Sequence, residues 1–125
     1  MRLRREALAD DALVVVRGGF LERARLRRDA ELTHRRFGEH GISVLGAPDD
    51  ESFDAIARTT LQRESVLTLI RVGTLRAAGL EVRPTFRRPH FTVMLPDLDS
   101  DLDRLLACDN EVRENPHHQL PEATP

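Results

Sequence analysis

Two dense apolar runs dominate the hydrophobic pattern of this chain. Ala12-Leu-Val-Val-Val16 closes in Arg17-Gly18-Gly19, and Ser65-Val-Leu-Thr-Leu-Ile70 closes in Arg71-Val72-Gly73. Each is too short for a helix and too unbroken for a strand wet on one face, which predicts central strands covered on both sides. Between them, Phe20 to Phe37 places Phe20, Ala24, Ala30 and Phe37 among arginine-rich segments. That spacing predicts a helix from near Leu21 to Gly38 with a solvated basic face. Gly41-Ile-Ser-Val-Leu-Gly46 predicts a short strand bounded by glycines. Phe53, Ile56, Ala57, Thr60 and Leu61 form one helical stripe, with Asp50 or Ser52 placed to cap it.

Beyond the second run, Thr74 to Gly79 predicts one or two helical turns stopped by glycine. Leu80-Glu-Val-Arg-Pro and His90-Phe-Thr-Val-Met-Leu then alternate as an antiparallel hairpin. Leu80, Val82, Phe91, Val93 and Leu95 share one face of it, and Glu81, Arg83, His90 and Thr92 the other. Leu98, Leu102, Leu105 and Leu106 stripe a last helix opened by aspartates that complement its dipole. The expected fold is a single α+β (mixed α/β) domain: about five strands in a mixed sheet with three main helices, in the order β-α-β-α-β-(α)-β-β-α. Residues 1–11 read as a lead-in, 12–108 as the domain, and 109–125 as an extended, partly disordered tail.

Composition sharpens the functional question more than it answers it. All 19 basic residues are arginine against 21 acids, giving a net charge of -2, so any anion binding must come from a local patch. A single cysteine, Cys108, excludes an internal disulfide, fits a reducing cytosol and reads as packing. No apolar run approaches the roughly 20 residues of a membrane helix, and the expected location is cytoplasmic, without membrane contact.

Metal sites find little support. Asp97, Asp99, Asp101 and Asp103 alternate like an EF-hand opening, but Leu102 takes the glycine position and Cys108 the bidentate position. His34 and His40 lie off a common helical face, and His117 and His118 read as solvated, so neither a metal nor a cofactor is expected. Arg17-Gly18-Gly19 lacks the spacing of dinucleotide or Walker loops. If the two apolar strands are parallel, Arg17 and Arg71 meet at one sheet edge, where open α/β sheets bind ligands. Arg83, Arg87, Arg88, His34 and His90 would join them beside the hairpin, with Ser43 as a strand hydroxyl. Arginine can hold a phosphodiester and histidine move a proton near neutral pH, which suffices for metal-independent RNA cleavage through the substrate's own 2′-hydroxyl.

Leu13-Val-Val-Val-Arg-Gly-Gly19, His34-Arg-Arg-Phe-Gly-Glu-His-Gly-Ile-Ser-Val44, Pro89-His-Phe-Thr-Val93 and Glu114-Asn-Pro-His117 occur in an order that resembles a group of small uncharacterised actinobacterial proteins. Their size and composition are similar to those of toxins from two-component toxin–antitoxin modules. The resemblance implies growth inhibition relieved by a cognate antitoxin protein; RNA as substrate is expected from the arginine and histidine chemistry, and a homodimer is a further expectation. On chemistry, His90 and His34 are the expected catalytic pair, and Arg17, Arg71, Arg83 and Ser43 the expected substrate-binding residues. Two alternatives compete. One is an ADP-ribosyltransferase-like toxin in which Arg17 and Ser43 hold NAD, although Glu51 is a poor catalytic glutamate. The other is a non-enzymatic protein-binding module such as an antitoxin, immunity protein or complex subunit.

Overall fold

A computed structural model describes residues 7–118 of the chain. Six strands form one open sheet: β1 (Leu13–Gly18), β2 (Gly41–Ala47), β3 (Val66–Arg71), β4 (Val82–Pro84), β5 (His90–Met94) and β6 (Glu111–Glu114). Four helices intervene: α1 (Arg23–Phe37), α2 (Asp50–Thr59), α3 (Val72–Ala77) and α4 (Leu98–Ala107). The domain is α+β, and the elements from β1 to α4 follow the expected order. Spatially the strands run β4-β5-β2-β1-β3-β6, and every neighbouring pair is antiparallel.

Two expectations are corrected here. β1 and β3 are antiparallel, not parallel: Leu13 faces Arg71 and Gly18 faces Leu67. The expected both-face burial arises because helices cover this antiparallel sheet on both sides. Leu26 and Ala30 of α1, Leu75 of α3, and Leu102 and Leu105 of α4 join Val14, Val16, Ile42, Val44 and Ile70 in the larger core cluster. Ile56 and Ala57 of α2 join Val15, Ala47, Leu67 and Leu69 in the smaller one. Alternate residues of β1 therefore feed different cores.

The second correction adds a strand. Glu111–Glu114, read as tail, pairs with β3 from Val66↔Glu114 to Leu69↔Glu111. Its charged sequence suits an edge strand, with the Arg113 guanidinium 5.0 Å from the centre of the Phe53 ring. Asn115 then turns inward, 6% exposed, and its Nδ2 donates to the carbonyls of Ala57 (3.2 Å) and Leu61 (2.9 Å) at the end of α2. Its Oδ1 accepts from the His117 N–H at 2.8 Å, and the His117 Nε2 lies 2.6 Å from Asp54 Oδ1. Residues 1–6 and 119–125, included in the lead-in and tail expectations, lie outside the described residues.

Local details also differ from the sequence reading. α1 buries Leu26 and Ala30, while Phe20 and Phe37 are 64% and 58% exposed, so its apolar stripe is narrower than the aromatic spacing implied. Gly38 ends it at φ 82°, a left-handed cap that glycine adopts without steric cost. Asp49, rather than Asp50 or Ser52, caps α2 by accepting from the Ser52 N–H at 2.7 Å. The hairpin faces match expectation: Leu80, Val82, Phe91, Val93 and Leu95 all enter the larger core. No helix among the described residues is long and apolar enough to cross a membrane.

One irregularity positions the site. β1 pairs with β2 only from Leu13↔Ala47 to Val15↔Leu45, and β1 bulges against β3 between Val15 and Arg17. The bulge leaves Val16 and Arg17 turned toward the same side, where the Arg17 Nη1 meets Asp29 Oδ2 of α1 at 2.8 Å. α1 thus bridges the diverging ends of β1 and β2, and its C-terminal turn reaches the outer half of the sheet.

Candidate functional site

β4, β5 and β2 lie side by side, and their register aligns three polar residues in a row: Arg83 opposite Thr92, and Thr92 opposite Ser43. These residues, with Thr33 and Phe37 of α1, line a cavity of about 200 Å³. A second cleft of about 410 Å³ adjoins it and is lined by His34, His40 and Glu81; the two share Glu39, Arg83 and Met94. The site is therefore continuous across Arg83.

Around this cavity the polar groups are tightly arranged. Thr85 Oγ1 lies 2.7 Å from His90 Nδ1 and 2.8 Å from Thr92 Oγ1, a hydroxyl relay that fixes the orientation of the imidazole. Arg83 is held from both flanks, its Nη2 and Nε on Glu81 (3.0 and 3.2 Å) and its Nη1 on Glu39 (2.9 Å). The Glu81 hydrogen bonds foremost, with Glu39 adding, push its pKa still higher, so the guanidinium stays charged and fixed in place. His34 stacks on His40 with ring centroids 4.2 Å apart.

Aromatic rings stand at the mouth. Phe37 and Phe86 are 58% and 68% exposed, with ring centroids 5.3 Å apart, and the Phe86 ring meets His90 edge-on at 4.9 Å. Phe86 has φ 54°, a left-handed conformation that costs an aromatic residue energy, so the surrounding turn presents this ring under strain. Two exposed phenylalanines in van der Waals reach of each other form a surface on which a flat ring can stack.

Of the six expected site residues, Arg83 and Ser43 line the smaller cavity, His90 adjoins it through Thr85, and His34 lines the neighbouring cleft at the other end of β5. Arg17 and Arg71 do not meet. With the strands antiparallel, Arg17 pairs with Thr68, about 10 Å along β3 from Arg71. Arg71 alternates with Ile70 and so faces the other side of the sheet. Arg17 is committed to Asp29, one helical turn before Thr33, and its buried Nε has no hydrogen-bond partner among the described residues. Arg71 donates to the Asp11 carbonyl at 3.3 Å. Neither guanidinium is placed to hold a ligand with the other.

The remaining candidates have structural work. Asp99 and Asp103 pair with Arg23 and Arg27, which fastens α4 to α1. Buried Asp101 accepts from the Asp97 N–H at 2.9 Å and Arg104 Nη1 at 2.8 Å. No cluster of three or more metal-ligating side chains occurs among the described residues. Burial, and next the charge of Asp109, raise the Cys108 thiol pKa, which suits packing rather than nucleophilic work. Glu51 opens α2, away from the Arg83 row.

Sequence reasoning missed Phe37, Phe86, Thr85, Thr92 and Glu39 as site residues. A signal existed for the aromatics, since each phenylalanine adjoins a double arginine, Arg35-Arg36 and Arg87-Arg88. The hydroxyl relay had none, because it depends on strand register. The chain matches no protein-family model, no curated protein and no solved structure.

Proposed function

We propose that this protein binds single-stranded RNA at the pocket between α1 and the β4–β5 hairpin and cleaves it as a toxin-like, metal-independent ribonuclease. The observation that carries the reading is the placing of Arg83 and Ser43 in a cavity flanked by His90, under the exposed Phe37–Phe86 pair, with His34 in the adjoining cleft. A base stacks on the rings, as single-stranded recognition commonly requires, and Arg87 and Arg88 supply exposed cations at the turn. Arg83, with the Ser43 and Thr92 hydroxyls, faces the phosphate. The substrate's 2′-oxygen attacks the adjacent phosphorus while its proton passes to His90. The bond to the 5′-oxygen breaks, that oxygen takes the proton back from His90, and a 2′,3′-cyclic phosphate remains. Because the nucleophile belongs to the substrate, the step requires no metal-activated water.

Incubation of purified protein with a labelled oligoribonucleotide and its DNA counterpart in EDTA tests the reading. Expected is cleavage of RNA alone, with cyclic phosphate ends, falling by about 10² to 10⁴ in His90→Ala. Intact RNA would refute it. The cellular counterpart is growth arrest on expression, reversed by a cognate antitoxin. A non-enzymatic binding module is the second reading. It is favoured by a separate groove of about 610 Å³, where Leu8 and Pro89 meet Ala55 and Ile56 of α2. Growth arrest that persists in His90→Ala would select it.

A further inference from the structure

The arginines of α1 divide into two sets. Arg23 and Arg27 are taken up by Asp99 and Asp103 of α4, and Arg27 also by Glu31 at 3.0 Å. Arg25, Arg28, Arg35 and Arg36 are exposed and, among the described residues, form no ion pair or hydrogen bond. At 3.6 residues per turn these four fall within an arc of about 100°, on the side of the helix opposite Leu26 and Ala30. They span about 16 Å along the axis. Neither acid of the helix neutralises them, since Asp29 is paired to Arg17 and Glu31 to Arg27.

Unpaired like charges in a row repel one another, and this chain has acids enough to neutralise them: eight of its other arginines are ion-paired. The ridge ends at Arg35-Arg36, whose next residue, Phe37, carries a ring of the stacking pair. A strand leaving the pocket reaches the ridge by rounding the C-terminal end of α1. We infer that the Arg25–Arg28–Arg35–Arg36 ridge is a phosphate track, and that the substrate is an RNA considerably longer than the few nucleotides the pocket holds. This rests on the RNA reading of the pocket. The ring pair at its end favours nucleic acid over an acidic protein or an anionic membrane.

The test uses the full chain, a labelled 20-nucleotide single-stranded RNA and a trinucleotide. Each phosphate contact contributes about 0.7 to the slope of log affinity against log salt for single strands. Arg25→Ala/Arg28→Ala is therefore expected to flatten the slope for the 20-mer by about 1.4 and to weaken its binding roughly 25-fold at 0.1 M salt. Trinucleotide cleavage stays unchanged. Arg58→Ala/Arg63→Ala, equal in net charge and remote from α1, leaves both intact. An unchanged slope in the ridge variant, while the wild-type protein still binds and cleaves, overturns the track and leaves the pocket reading standing. Equal loss in the control variant overturns it too, as does ridge-dependent binding to phosphatidylglycerol vesicles with RNA binding unaffected. A wild-type protein that binds and cleaves neither RNA overturns both.

Discussion

Asn115→Ala isolates the contact that ties the C-terminal segment to the domain. The substitution removes two hydrogen bonds to the Ala57 and Leu61 carbonyls and one from the His117 N–H. It also strands the carbonyls at the end of α2, at a position only 6% exposed. A net hydrogen bond contributes about 1 kcal/mol, and a buried acceptor left unmade costs about 1–3 kcal/mol, so a loss of about 2–4 kcal/mol is expected. For a domain of this size that lowers Tm by about 8–16 °C. Urea unfolding gives the free energy, and hydrogen exchange gives its location: the β6 amides, and the Asn115 N–H bonded to Ser65 at 2.9 Å, should lose protection first. Asn115→Asp should be at least as damaging, because a carboxylate would face two carbonyls. Unchanged unfolding with β6 still protected would refute the reasoning.

Acid should weaken the same region. Hydrogen bonds from the Ser52 side chain, then from its backbone N–H, lower the Asp49 pKa, and the His117 hydrogen bond lowers that of Asp54. Both folded values lie below the unfolded one of about 3.9, so this stabilisation is complete above that pH and is lost as pH falls through the depressed values. The denaturation midpoint should therefore drop below about pH 4, and less steeply in Asp49→Asn/Asp54→Asn; equal acid slopes would contradict this. Gly46→Ala should cost about 1–3 kcal/mol in a thermal melt, since the new Cβ would sit 2.7 Å from Phe91 Cε1 and 3.0 Å from Leu8 Cδ1. Asp29→Ala should cost about 1–2 kcal/mol by stranding the Arg17 guanidinium, and Arg17→Met in that background should restore most of it. Additive losses in the double variant would show that the pair is uncoupled.

The order of elements was legible because periodicity and glycine punctuation are local. Strand direction was not. Leu13 to Val16 and Val66 to Ile70 look alike whether they run parallel or antiparallel, since burial on both faces reports only that helices lie above and below. That ambiguity governed the site: parallel strands would have joined Arg17 to Arg71, whereas antiparallel pairing separates them. His90, Arg83 and Ser43 fall on one face of neighbouring strands because a short hairpin fixes its own direction and β2 brings Ser43 into register with it. β6 was illegible for another reason. Glu111-Val-Arg-Glu114 has too little apolar alternation to mark a strand, and its hold comes from backbone pairing and from Asn115 beyond it.

The placement of β1 has a consequence for biogenesis. Its two flanks are filled by segments made well after it: Val14 waits first for Gly46 and then for Ile70. During synthesis this valine-rich ribbon emerges with both hydrogen-bonding edges bare, and the edge that β3 fills stays open after β2 has emerged, until Val66–Arg71 has left the ribosome. Such delayed closure slows folding and invites capture by other nascent chains, so helpers that shield extended apolar segments would govern how much of this protein matures.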